Sequence, residues 1–244
     1  MTGPANKLAD YTIISQPGVL TITSAALVIT ANDQTKVLHA PNPDLTVSYS
    51  GFLAGDTPAQ LSGTLTCSTT ATLLSPVGSY PITCSGQTSL NYVITYVPGT
   101  LKVLYLVGAC PVRHQDDDRP QVLSHAILPP INADGSSIFH SKGDVPVRFR
   151  VCDANGNSMG SPGTVTSFVS LNGPQPTSQR PNPWRFNGED SDHDNNSAQD
   201  RPNPYPFWQF NLELRPLPSG TYNYLINLND GTNIPFSFTI DHNH

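Results

Sequence analysis

The chain has 244 residues with 24 Pro, 18 Gly, many Ser and Thr and few helix formers, which argues for strands joined by turns in one large or two modest domains. Its 18 acidic groups are 16 Asp and only 2 Glu, and the net charge of -6 argues against a nucleic-acid partner, because such affinity rests on cationic neutralisation. No run of 18 apolar residues exists to span a bilayer, and MTGPANKLAD lacks the apolar core of a signal peptide, so a secreted protein would here be a processed or partial form.

The first predicted element is Tyr11 to Ile22, YTIISQPGVLTI, which returns 81 positions later as YVITYVPGTLKV from Tyr92 to Val103. Tyr11, Ile13, Pro17, Gly18 and Leu20 recur as Tyr92, Ile94, Pro98, Gly99 and Leu101. Each copy reads as a hairpin turning at Pro-Gly, whose glycine supplies a positive φ. The second copy closes a module of roughly 80 residues, long for a simple repeat. The first has no such module before it, so Tyr11, Ile13, Leu20 and Ile22 need a cover from elsewhere, either an upstream repeat or a neighbouring molecule.

Residues 25–104 then read LVITANDQTKV, APNPDLTVSYSGF, GDTPAQLSGTLTC, SPVGSYPITC and the closing ribbon. Cys67 and Cys84 sit in strand-like segments on either side of a Pro-Val-Gly turn, and Cys110 and Cys152 form a second pair in the other half. Bridging each pair within its half is the simplest of three connectivities, and it implies an oxidising, extracellular setting. Closely spaced Cys or His ligands for zinc are missing. In LVITAND, NPDLTVSYSGF, GDTPAQLSGTLTC and NYVITYVPGTL the segment resembles the MBG family of bacterial cell-surface repeats, departing at Leu38 and His39, where that family has Tyr-Gly. The resemblance implies a small β module strung in tandem in long extracellular proteins, with no enzymatic activity.

The character of the chain changes near Gly108, so residues 105–124 are expected as a linker and 125–244 as a second β-sandwich. Val145, Val147, Phe149 and Val151 alternate with outward residues, as in a half-buried strand. Tyr222 to Leu228 and Ile234 to Ile240 alternate likewise around Asn229-Asp230-Gly231, a hairpin. ILPPINADGSSIF and VPVRFRVCDANGN resemble the PxKF domain of bacterial surface proteins, with Arg148 at the lysine; this implies a C-terminal β-sandwich without assigned activity. The expected fold is all-β: two small antiparallel, Ig-like sandwiches in tandem behind a spare N-terminal hairpin arm.

Candidate sites fall on loops. Asp153, Asn155 and Asn157 alternate oxygen ligands as a calcium turn would, although a plain β-turn uses the same residue types. The polar insertion from Gly173 to Pro206 carries Glu189, Asp190, Asp192, Asp194 and Asn195, whose mutual repulsion water or calcium would screen. Asp116, Asp117 and Asp118 form a weaker acidic group, and His193, His242 and His244 are the histidines available to a transition metal. Trp184, beside the insertion, is the aromatic best placed to stack on a sugar ring of a glycan or cell wall. Gly156 to Gly160 spells GxSxG, but Ser161-Pro162-Gly163 follows where a nucleophile elbow needs a helix. No nucleophile with its base can be placed in one site, so the sequence argues against an enzyme. It leaves a self-associating head-to-tail filament built by strand donation, a fragment of a tandem-repeat adhesin, and a calcium-dependent glycan-binding module.

Overall fold

A computed structural model describes residues 12, 14–53, 55–106, 108, 110–111, 123–124, 127–140, 143–173, 185–187, 207–213 and 217–242. Among these, the chain forms seventeen strands and one short 3-10 turn at Pro58–Gln60. The strands build two sandwiches.

In the first, β1 (Ala25–Ala31), β3 (Val47–Ser50) and β6 (Tyr92–Val97) make a sheet ordered β3-β1-β6. Facing it, β2 (Gln34–Val37), β4 (Thr66–Thr69), β5 (Gly78–Ser85) and β7 (Gly99–Leu104) are ordered β2-β7-β5-β4. Alternation points Leu27, Ile29 and Ala31 of β1, Ile82 and Cys84 of β5, and Leu101 and Val103 of β7 inward, and all seven are buried. Each large aliphatic side chain fully withdrawn from water contributes about 1.5–3 kcal/mol.

The Pro-Gly ribbon is not the hairpin its sequence suggests. β6 pairs in parallel with β1, and β7 pairs in parallel with β2 and antiparallel with β5, so the two halves lie in opposite sheets. The chain crosses between sheets at Pro98, and Gly99 is not in the left-handed region. Gly99 is needed for a different reason: a Cβ there would collide with the Ala31 carbonyl, where β1 makes the same crossing toward β2. Asp33 accepts from the Thr100 amide at 2.8 Å and ties the two crossings together. The pairing is therefore mixed parallel and antiparallel within an all-β sandwich.

In the second sandwich, β10 (Ile127–Leu128), β12 (Asp144–Phe149), β15 (Phe207–Glu213) and β14 (Arg185–Asn187) form one sheet, in that order. The other is β11 (Ile138–Phe139), β17 (Asn233–Ile240), β16 (Gly220–Leu228) and β13 (Val165–Ser170). β8 (Cys110–Pro111) pairs with β9 (Leu123–Ser124). β16 and β17 are the expected hairpin, with Gly231 at a φ of 86° in its turn. Tyr224 stacks between Phe168, Phe236 and Phe238, while Phe149 lies flat on Trp208, which fills the core between the sheets.

One short motif anchors both sandwiches. Pro76-Val77-Gly78-Ser79-Tyr80 and Pro218-Ser219-Gly220-Thr221-Tyr222 each open a central strand. In each, the tyrosine hydroxyl donates back to the proline carbonyl, at 2.9 Å from Tyr80 and 2.8 Å from Tyr222. This is the tyrosine corner of immunoglobulin-like sandwiches, used once per module.

Candidate functional site

The joint with the second sandwich and the entry of the N-terminal arm lie at opposite ends of the first sandwich. At the foot, where β2 and β7 end, the second sandwich is attached with almost no spacer. Leu38 takes the Leu104 carbonyl at 2.7 Å, and two residues later the Leu106 amide donates to Cys152 O at 2.7 Å. Tyr105 is buried in the core of the second sandwich, and its amide donates to Asp230 Oδ2 at 2.7 Å, at the tip of the β16–β17 hairpin. The segment expected to begin a linker at residue 105 is thus built into the second sandwich from its first residue.

The turn Leu38-His39 sits on the loop Asp153–Asn157. The Ala154 amide donates to Leu38 O at 2.9 Å, and His39 Nδ1 lies 2.7 Å from Asp153 Oδ2. A carboxylate only accepts, so Nδ1 carries the proton. His39 holds a φ of 63°, the left-handed conformation that glycine adopts readily, at a position where the resembling family has glycine. Asp153 is fully buried and also receives the Asn155 amide at 2.9 Å, the Asn157 amide at 2.8 Å and Asn157 Nδ2 at 2.8 Å. Burial pushes its carboxyl up, but the hydrogen bonds from His39, Asn157 and Asn155 outweigh that and hold it below the usual carboxylate range. These bonds, with N–H donors pointing at the carboxylate, are those of a β-turn closed by its aspartate. Arg150, also buried, donates to Gly156 O at 2.8 Å and braces the same loop.

Both expected disulfides are formed. Cys67–Cys84 joins directly opposed residues of β4 and β5, with the Cα atoms 4.1 Å apart. Cys110–Cys152 joins the strand leaving the foot to the loop beneath Leu38, with Cα atoms 5.7 Å apart and both residues fully buried. Among the described residues there is no cluster of three or more His, Cys, Asp or Glu able to hold a metal ion. Asp190, Asp192, Asp194 and Trp184 lie outside the described residues, as do Tyr11, Ile13 and the three aspartates from Asp116. Ser158 of the GxSxG stretch forms a bridge with Cys152, and its hydroxyl is buried.

At the head of the first sandwich, β1 and β6 begin side by side, with the Ala25 amide on Asn91 O at 2.9 Å. Tyr92 donates to Asp56 Oδ2 at 2.5 Å and receives the Leu53 amide at 3.0 Å, which pins the loop after β3 across this end. The arm reaches the head at Ser24. Its described residues, 12 and 14–24, form no strand. Leu20 and Ile22 are 86% and 87% exposed, whereas their counterparts Leu101 and Val103 are fully buried.

Sequence reading missed His39 and the tyrosine corners. The corners were legible as a repeated Pro-x-Gly-x-Tyr; the histidine showed only as a departure from Tyr-Gly.

Residues 27–102, which make up most of the first sandwich, match the MBG domain of the YGX type. No curated protein matches the chain. Among solved structures, immunoglobulin domains 1–4 of Sidekick-1 are 11% identical with a TM-score of 0.26, over 89% of this chain and 48% of that one, so the chain spans about half of that fragment. A titin Ig tandem is 11% identical with a TM-score of 0.25, over 90% of this chain and 99% of that one. Domains 4–9 of the surface layer protein SbsC are 14% identical with a TM-score of 0.23, over 91% and 32%. At such TM-scores these likenesses carry no argument. The MBG match and two disulfides, Cys67–Cys84 within the matched segment and Cys110–Cys152 beyond it, are the make-up of an extracellular or cell-surface protein.

Proposed function

We propose that the chain is a non-enzymatic structural element of an extracellular surface protein whose β modules stand in series, and that residues 12–24 are the sheet-crossing strand pair of a module preceding β1. The observation that carries this is the exposure of Leu20 and Ile22 against the full burial of Leu101 and Val103, residues of the same motif. Together the two exposed side chains forgo roughly 3–6 kcal/mol of burial that a module around them would recover. The places such a pair fills in the first sandwich, beside β1 and between β2 and β5, are already taken by β6 and β7. A module lacking its own β6 and β7 would accept the arm; a closed one offers only an edge.

The test follows from the register of the duplication. Placing residues 25–91 directly before Tyr11 creates one complete extra module, residues 25–91 followed by 11–24, ahead of the chain. Calorimetry of this extended chain should show an added cooperative transition. An added stretch without a transition, digested as readily as an unfolded peptide, would overturn the reading.

A second reading is favoured by the edge of β6, which among the described residues has β1 on one side only. The arm of one copy adding to that edge of the next gives a head-to-tail contact that does not close, and hence a filament. Light scattering on the chain with and without residues 1–24 separates the two. Growth that depends on the arm supports the filament, and a monomer in both cases removes it.

A further inference from the structure

We infer that the head of the MBG-type sandwich is a docking surface for the turn between β2 and β3 of the preceding module, with Leu90 at its centre. This rests on the reading that residues 12–24 belong to such a module, and it adds where that module sits. At the foot, Leu104 ends β7, Leu106 donates to Cys152 O two residues on, and the residues after Cys152, Asp153 and Ala154, carry the contact with Leu38 and His39. Subtracting the 81-residue offset puts Thr23 in place of Leu104 and Ala25 in place of Leu106. Ala25 makes the equivalent bond to Asn91 O.

The strand that receives this bond runs antiparallel at Cys152 and parallel at Asn91, so stepping back toward the earlier module leads to Ala154 in one case and to Leu90 in the other. Leu90 therefore stands where Ala154 receives the turn. It is 99% exposed, and Leu53 at the same head is 61% exposed, although the Tyr92 hydroxyl holds that loop in place. A spacing of two residues leaves no slack for a module to stand away from this face. At the foot the residue that opens this turn is Leu38, which is buried against the second sandwich.

The chain contains no free cysteine, so a single thiol is a clean reporter. Leu90→Cys is made in the original module, both in the chain as it stands and in the chain extended by residues 25–91 before Tyr11. The maleimide reaction rate should fall roughly tenfold or more in the extended chain, as expected for a site shielded except during local opening. Leu74→Cys, on the exposed β4–β5 connection, should react equally in both. An unchanged rate at Leu90→Cys, in an extended chain that calorimetry shows to have gained a folded module, would overturn the inference alone. Loss of the added transition would overturn the reading beneath it, and the inference with it.

Discussion

Asp153→Ala removes the group on which the joint between the sandwiches closes. The carboxylate accepts four hydrogen bonds of 2.7 to 2.9 Å and has no exposure to solvent. Asn155 and Asn157 are exposed, so their donors regain water when the acceptor goes. Each bond is therefore counted near the low end, at about 1 kcal/mol. Four bonds give about 4 kcal/mol, and relaxation of the loop brings the expected loss to about 3 kcal/mol, or about 10 °C in Tm.

The pH dependence has a defined sign. The folded-state pKa of Asp153 lies below its unfolded value, so its contribution is fully present above the unfolded pKa, about 3.9, and is lost as pH falls through the folded value. Both tryptophans lie in the second half of the chain, so urea unfolding followed by tryptophan fluorescence reads this directly. A variant within about 0.5 kcal/mol of the parent at pH 7 would refute the reasoning. So would a difference that persists undiminished at pH values well below the unfolded pKa.

Replacing Cys110 and Cys152 with serine should cost about 4 kcal/mol and replacing Cys67 and Cys84 about 3 kcal/mol, since the bridges close loops of 42 and 17 residues, and calorimetry should place the larger loss in the second sandwich. Gly99→Ala should destabilise the first sandwich by about 2 kcal/mol or more, because the new methyl meets backbone that cannot rotate away; chemical denaturation with equal slopes measures it. Tyr80→Phe and Tyr222→Phe should each cost about 1 kcal/mol, in the first and second transitions respectively, by losing one hydroxyl-to-carbonyl bond.

The strands were largely legible because alternation is a local signal. Val145, Val147 and Phe149, and the residues from Tyr222 to Ile240, point inward as their period dictates. The Pro-Gly ribbon was misread for an instructive reason. Across a two-residue turn Tyr96 and Leu101 would oppose each other on one face, and in the observed crossing they also both point toward the core, so alternation fits either path. The glycine φ that separates a turn from a crossing is not written in the residue name. The joint was flagged only where Leu38-His39 replaces Tyr-Gly; the partner of His39 lies 114 positions away and carries no periodic signal. The boundary at residue 105 was placed by composition, which does not register that Tyr105 completes the second core.

The most direct measurement is amide hydrogen exchange at Leu20 and Ile22 in the chain extended by residues 25–91 before Tyr11. These two amides should exchange as slowly as those of Leu101 and Val103, since both pairs would then occupy the same strand of the same fold. Exchange as fast as in the unextended chain would show that the first copy of the motif completes no module, and the account of this protein as one stretch of a series would fail.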